Sequence, residues 1–198
     1  VISYVLDEKG LNYGFLPKGL LKFHSYPEGS RTAAEEHLAE AAEYAVSKGG
    51  NIYIHFTVSP QHRELFYAHL EEARKPFEEK YGVSYHITFS EQDPATNTMA
   101  VDFDNNPFRL DDGTILFRPA GHGALLKNLN ELDSDVVLIK NIDNVVPDRI
   151  KDSTITYKKL LGALLVRYQS TIFRYLNLLD DAANVTDELI QEIEDFLS

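Results

Sequence analysis

The chain reads as an α/β protein: a mostly parallel sheet with helices on both faces and a short antiparallel insertion. Three observations predict this class. Apolar, β-rich runs at 52–58, 83–90 and 136–140 alternate with amphipathic stretches, and strand–helix alternation builds parallel sheets with right-handed crossovers. The run Ile52-Tyr53-Ile54-His55-Phe56-Thr57-Val58 is continuous enough for a buried strand. Turn clusters Asn105-Asn106-Pro107 and Asp111-Asp112-Gly113 divide residues 99–117 into hairpin material.

The elements follow in order. Residues 1–16 are irregular and punctuated by Gly10 and Gly14, and 17–22 is a loop. A helix is predicted over 30–48, capped by Ser30 or Thr32, with Glu35 or Glu36 in its first turn. Leu38, Ala41, Ala42 and Ala45 make its inner stripe, and Gly49-Gly50 ends it. After the 52–58 strand, Ser59-Pro60 supplies a cap and a first-turn proline. That helix runs to about Tyr81, with Leu65, Phe66, His69, Leu70 and Ala73 inward and a kink or break at Pro76. The 83–90 strand leads to a loop with Gln92, Asp93 and Pro94, then to the hairpin. A turn at 118–121 opens a helix at 122–132, and 136–140 is a third buried strand. Residues 153–179 form a long helix with Tyr157, Leu161, Leu164, Tyr168, Ile172, Tyr175, Leu176 and Leu179 in one stripe. A last, acidic helix covers 184–198, capped by Thr186. The organisation is therefore an α/β domain over 1–150 with a helical extension, 151–198, packed on it.

Composition bounds the function. With 19 basic and 31 acidic residues in 198, the formal charge is −12. A general nucleic-acid binder needs a phosphate-neutralising basic face, so that class is excluded. Nucleotide binding is not, because it needs only a local patch or backbone amides. There is no cysteine, which removes disulfides, thiolate zinc sites and cysteine nucleophiles. This is compatible with a reducing, cytoplasmic setting. No apolar run is long enough to span a membrane, and no basic-then-apolar leader opens the chain. The chain starts at Val1 rather than methionine, as expected of a processed product or a piece of a longer protein.

In parallel sheets ligands gather at the carboxyl ends of strands, which points to the loops 57–60, 90–94 and 141–148 and to the turn 118–123. In Pro119-Ala120-Gly121-His122-Gly123-Ala124 two glycines bracket a histidine at a strand-to-helix turn. They let backbone approach a flat or charged ligand, or simply make a tight turn. Asp143, followed by Asn144, ends the third strand, where it could hold Mg²⁺ with waters and substrate phosphates or cap the next turn. Asp148 is a possible second carboxylate. Lys18, in Pro17-Lys18-Gly19, could meet phosphates or stay solvated. Asp102 and Asp104 would share one face of an extended strand. His24, His37, His55, His62 and His69 show no ligand spacing, and His86 reads as structural.

Four pieces occur together in order: Pro17-Lys18-Gly19-Leu20, Phe89-Ser90-Glu91-Gln92-Asp93-Pro94, Pro119-Ala120-Gly121-His122-Gly123 and Asn141-Ile142-Asp143-Asn144. In that order they resemble the UTP-dependent sugar-1-phosphate uridylyltransferases, the UDP-sugar and UDP-N-acetylhexosamine pyrophosphorylases. The closer similarity is to an uncharacterised bacterial domain-of-unknown-function family related to them, carried by Lys18-Gly19-Leu20-Leu21-Lys22-Phe23-His24 and by 140–148. The similarity covers about 16–150.

The resemblance implies a nucleotide-diphospho-sugar transferase fold of the GT-A type, with UTP or a UDP-sugar and a sugar 1-phosphate as partners. It implies Lys18 at the phosphates, Gln92 and Gly121 at the uracil edge, and His122 and Gly123 lining the nucleotide. It implies Asp143 as the Mg²⁺ ligand, so that the catalytic roles fall on Lys18 and Asp143. The implied reaction is in-line attack of a sugar 1-phosphate on the α-phosphorus of UTP. The family also carries a strand and a glycine-rich loop ending in Thr-Arg ahead of Pro-Lys-Gly. Residues 1–16 do not supply it, so the fold is expected to be incomplete at its N-terminus and a poor catalyst alone. Two alternatives stand beside this reading. One is a non-catalytic ligand-binding or assembly module with an apolar patch covered by self-association into a homo-oligomer. The other is a GT-A glycosyltransferase using Asp102 and Asp104 with Mn²⁺.

Overall fold

A computed structural model describes residues 1–198. The chain divides into two compact units, Val1–Arg149 and Ile150–Ser198. It mixes helix and strand, and its strands form three two-stranded sheets.

The centre of the first unit is a parallel βαβ piece. Strands β3 (Asn51–Thr57) and β4 (Ser84–Ser90) pair in parallel register, Ile52 beside Tyr85 and Phe56 beside Phe89. The connecting helix α3 (Arg63–Tyr81) follows a 3₁₀ turn, Pro60–His62. Helix α2 (Ala33–Tyr44) packs beside α3. Ile52, Phe56 and Tyr85 turn inward and join Leu38, Ala41, Phe66, Leu70 and Phe77 in one core. The Tyr85 hydroxyl donates to Leu38 O at 2.8 Å, tying the strand pair to α2.

Both helices cover the same face of the pair. The outward positions are Tyr53, His55, Thr57, His86, Thr88 and Ser90, none of them fully buried. A strand buried on both faces is therefore corrected to one buried on a single face. Tyr53 and His86 stack outside the sheet at 4.8 Å. Tyrosine and threonine favour strands, so the run looks continuous while its side chains alternate between core and solvent.

Of the two expected caps, Thr32 is the one that caps α2, in a full capping box with Glu35, while Ser30 lies in a strand. The helix stops at Tyr44, short of 48. Val46 bridges Ile52, and the left-handed Gly49 and Gly50 (φ 85° and 78°) close the turn between them. Helix α3 passes through Pro76 and ends at Gly82, left-handed at φ 64°. The burial of Phe77 beyond the proline keeps the last turn docked. Leu65 lies on the outer side, half exposed.

Three regions differ from expectation. Residues 1–16 contain a short helix, α1 (Ile2–Leu6), followed by turns. A hairpin of β1 (Lys22–Tyr26) and β2 (Gly29–Thr32) follows the predicted loop and takes residues 30–32 from the predicted helix, which starts at Ala33. The segment 136–140 forms no regular element and pairs with no strand. Its side chains alternate, Val137 and Ile139 outward and Leu138 and Lys140 inward. It lies along α2 instead, because Lys140 pairs with Glu40 and His37 donates to Ile142 O at 3.0 Å.

The insertion is antiparallel as predicted. Strand β5 (Thr98–Met99) pairs with β6 (Phe117–Arg118), and bridges at Val101–Pro107 and Arg109–Ile115 extend the hairpins. A 3₁₀ turn, His122–Leu125, leads into α4 (Leu126–Asn130), shorter than the predicted 122–132.

The second unit holds α5 (Lys151–Leu179) and α6 (Asp187–Leu197). Thr186 caps α6 as predicted, its hydroxyl accepting from Leu189 N at 3.2 Å. Phe196 packs edge-on against Tyr175 and Tyr168 at 5.4 and 5.9 Å, and Arg174 pairs with Glu192. No helix is long and apolar enough to cross a membrane.

Candidate functional site

Lys18 and Asp143 meet. Lys18 Nζ donates to Asp143 Oδ2 at 2.9 Å, across 125 sequence positions, with the side chains 71% and 45% exposed. Lys18 opens a 3₁₀ turn, Lys18–Leu20, set by Pro17 and anchored where Leu20 enters the core. Its neighbour Gly19 is buried between Phe66 and Ile142. A Cβ at Gly19 would sit 2.5 Å from the Phe66 ring and 3.2 Å from Ile142 Cγ1. Only glycine allows that approach, so Gly19 sets how close the Lys18 turn comes to 141–144. The second wall is fixed by His37, through its hydrogen bond to Ile142 O, and by Lys140 on Glu40. Phe66 lies near the start of α3, so the pair sits close to where β3 hands over to its helix.

The electrostatics favour the ionised form of Asp143. Asp143 is held below the usual carboxylate range by the Lys18 hydrogen bond, its own backbone N–H and the lysine charge. Its donor set suits one hard cation that takes a single carboxylate and completes its shell with water and substrate phosphate oxygens. No three His, Asp or Glu side chains gather into a metal-holding group. A cation held by Asp143 would have to draw its remaining ligands from water or a bound molecule.

The other expected residues gather at the end of β4. Gln92 donates to Asn97 Oδ1 at 3.3 Å, and Asp93 caps the 3₁₀ turn Pro94–Thr96 while pairing with Lys127. Asn128 of α4 donates to both Ser90 Oγ and Glu91 O at 2.8 Å. Gly121, His122 and Gly123 lead into that helix. A Cβ at Gly121 or Gly123 would meet nothing within 4 Å, and φ at Gly121 is −72°. Neither glycine is required by packing, and the backbone there is open to approach. The structure thus forms two groups, Lys18 with Asp143, and Gln92 beside the helix opened by 121–123. No hydrogen bond or ion pair joins them.

Other candidates have structural partners. Asp148 accepts from Arg31 Nη1 at 2.9 and 3.0 Å. Asp102 Oδ1 accepts from the amides of Asp104 and Asn106, both at 2.9 Å. Asp102 therefore caps a turn, where Asn105 is left-handed at φ 63°, and it does not share an extended strand face with Asp104. The donor geometry assumed for Mn²⁺ at that pair is not met. His69 sits between Thr32 and Glu35 at 3.1 Å from each, and His86 donates to Asn51 Oδ1.

Two polar constellations escaped the sequence reading. One is ionic and lies on the face of α2 away from the sheet. Glu36 and Glu40, one turn apart, are both fully buried. Tyr26 OH donates to Glu36 at 2.6 Å, His24 Nδ1 is 3.2 Å from it, and Arg31 is 3.8 Å away. Glu40 accepts from Tyr44 OH and pairs with Lys140. The signal was present in the two glutamates at i and i+4 opposite an alanine-rich stripe, but such a face normally reads as solvated. The other constellation centres on Ser90, whose Oγ lies 2.7 Å from His55 Nε2 and 2.8 Å from Asn128 Nδ2. Burial pushes His55 below its ordinary value, which favours the neutral ring.

The family model described as Domain of unknown function (DUF4301) matches residues 1–198. No curated protein and no solved structure matches the chain.

Proposed function

The chain belongs to the DUF4301 family, and within it we propose a nucleotide-binding α/β domain that handles UTP or a UDP-sugar, in the manner of the sugar-1-phosphate uridylyltransferases. The observation that carries this is the Lys18–Asp143 pair. The resemblance assigns phosphate to one and Mg²⁺ to the other, and the fold holds the two side by side at the mouth of a βαβ unit. An exposed ammonium next to an ionised carboxylate is the minimum needed to seat a magnesium–phosphate group.

In this reading Lys18 leaves the carboxylate for a phosphate oxygen when nucleotide enters. Asp143 is the residue that would hold Mg²⁺. When bound, Mg²⁺ offsets the charge that develops on the phosphates during transfer. Gly19, Ile142 and His37 orient the two side chains. Gln92, Gly121, His122 and Gly123 lie on the β4 side, where the base would be read. Uridylyl transfer to a sugar 1-phosphate, with release of pyrophosphate, is the reaction that this placement suits.

A second reading keeps the ligand and drops the chemistry. It is favoured by residues 1–16, which form α1 and turns rather than a strand and phosphate-cradling loop. Calorimetry with UTP, a UDP-sugar and ATP, in the presence of Mg²⁺, tests the shared part. Heat of binding with the uridine nucleotides is expected, and none with any nucleotide contradicts both readings. Exchange of labelled pyrophosphate into UTP in the presence of the UDP-sugar then separates them.

A further inference from the structure

Helix α5 carries its apolar residues into solvent. Leu161, Leu165, Ile172 and Leu176 stand 58, 47, 44 and 53% exposed on one side of a 29-residue helix. At about 100° per residue they form a stripe alongside the Tyr168 and Tyr175 edge that α6 covers through Phe196. Val166 and Phe173, each about half exposed, widen it. The stripe runs for about 22 Å at 1.5 Å per residue. A helix so apolar around its circumference belongs in an interior or an interface.

The pattern of the stripe identifies its occupant. Lys158 stands at one end and Asp180 at the other, with no charged residue on this side between them. Arg167 and Arg174 project from the opposite side, and Arg174 is engaged by Glu192. Space beside Gly162 is open, which admits a large side chain and a close helix approach. An identical helix laid antiparallel, with its two-fold axis at Gln169, matches each feature to its complement. Lys158 faces the partner's Asp180, Gly162 the partner's Leu176, and Leu165 the partner's Phe173. A parallel arrangement would oppose like charges instead. We propose that α5 is a homodimer interface, paired antiparallel with α5 of a second copy of this chain. This stands independently of the nucleotide site, since every residue it uses lies in the second unit.

Sedimentation equilibrium of the whole chain tests it. The expected result is a mass of twice 22.4 kDa at micromolar concentration. Leu165→Glu should give a monomer with unchanged helical circular dichroism. Lys158→Asp, a surface change that spares the core, should weaken the dimer about tenfold, the scale of two like-charge contacts. The exchange Lys158→Asp with Asp180→Lys should restore it. A wild-type monomer at every concentration overturns the proposal. So does association that neither Leu165→Glu nor Lys158→Asp changes, or a charge exchange that fails to rescue.

Discussion

Gly19 lies within ring-contact distance of Phe66, with no room for even a methyl group between them. This contact connects a local turn to the first part of α3 and thereby sets where Lys18 points. It also leaves the fold sensitive at a residue with no side chain.

Gly19→Ala should therefore be disproportionately damaging. The added Cβ would lie 2.5 Å from the Phe66 ring. Overpacking of this kind costs about 1–3 kcal/mol. Urea unfolding should show that loss, and nucleotide affinity should fall with it as Lys18 and Asp143 separate. Gly121→Ala is the control: it meets open space, so its stability should change by less than about 0.5 kcal/mol.

Lys140→Met should be strongly destabilising, by about 3–5 kcal/mol, because it strands the carboxylate of Glu40 in the interior. Removing both charges, with Glu40→Gln added, should recover most of the loss. Equilibrium unfolding of the two variants measures the difference directly.

His37 should make stability fall in mild acid. Burial pushes its ring below the ordinary 6.5, with Lys140 acting in the same direction and the bond to Ile142 O opposing. Between the depressed folded value and 6.5 the unfolded chain binds a proton that the folded chain refuses. The contribution is thus complete above 6.5 and lost as pH falls below it. His55 is lowered by burial in the same sense, so the His37 share is read by difference. His37→Asn, which keeps a donor, should flatten the decline in urea midpoint between pH 7.5 and 5.5.

Asn128→Ala removes both donors that tie α4 to Ser90 and Glu91. A loss of about 1–2 kcal/mol is expected. Faster amide hydrogen exchange across 90–97 would locate the effect in the Gln92 loop.

Much of this was legible in the residues themselves. Thr32 with Glu35, Thr186 and the hairpin turns obey local rules, because caps and tight turns depend on side chains within a few positions. Strand order did not follow. The run 136–140 has strand composition, but Lys140 and His37 bind it to α2, a choice made across about a hundred positions. The polar outer face of β3 and β4 hid behind β-favouring Tyr53, Thr57 and Thr88. For the site, Lys18 and Asp143 were each singled out by sequence, but their pairing was not. It depends on the absent side chain of Gly19 and on a carbonyl held by His37. Glu36 and Glu40 stood out only as an i, i+4 pair; their burial was not legible because, Tyr44 aside, their partners come from β1, β2 and residue 140.

The most direct test is UTP affinity with and without Mg²⁺, in the wild-type chain and in Asp143→Ala. The exposed Lys18–Asp143 ion pair contributes little to stability, so the variant should fold normally. Binding to the wild type should tighten at least tenfold with Mg²⁺, and the variant should show no response to the metal. An equal Mg²⁺ response in both proteins, or no UTP binding by the wild type, would contradict a nucleotide site at Lys18 and Asp143.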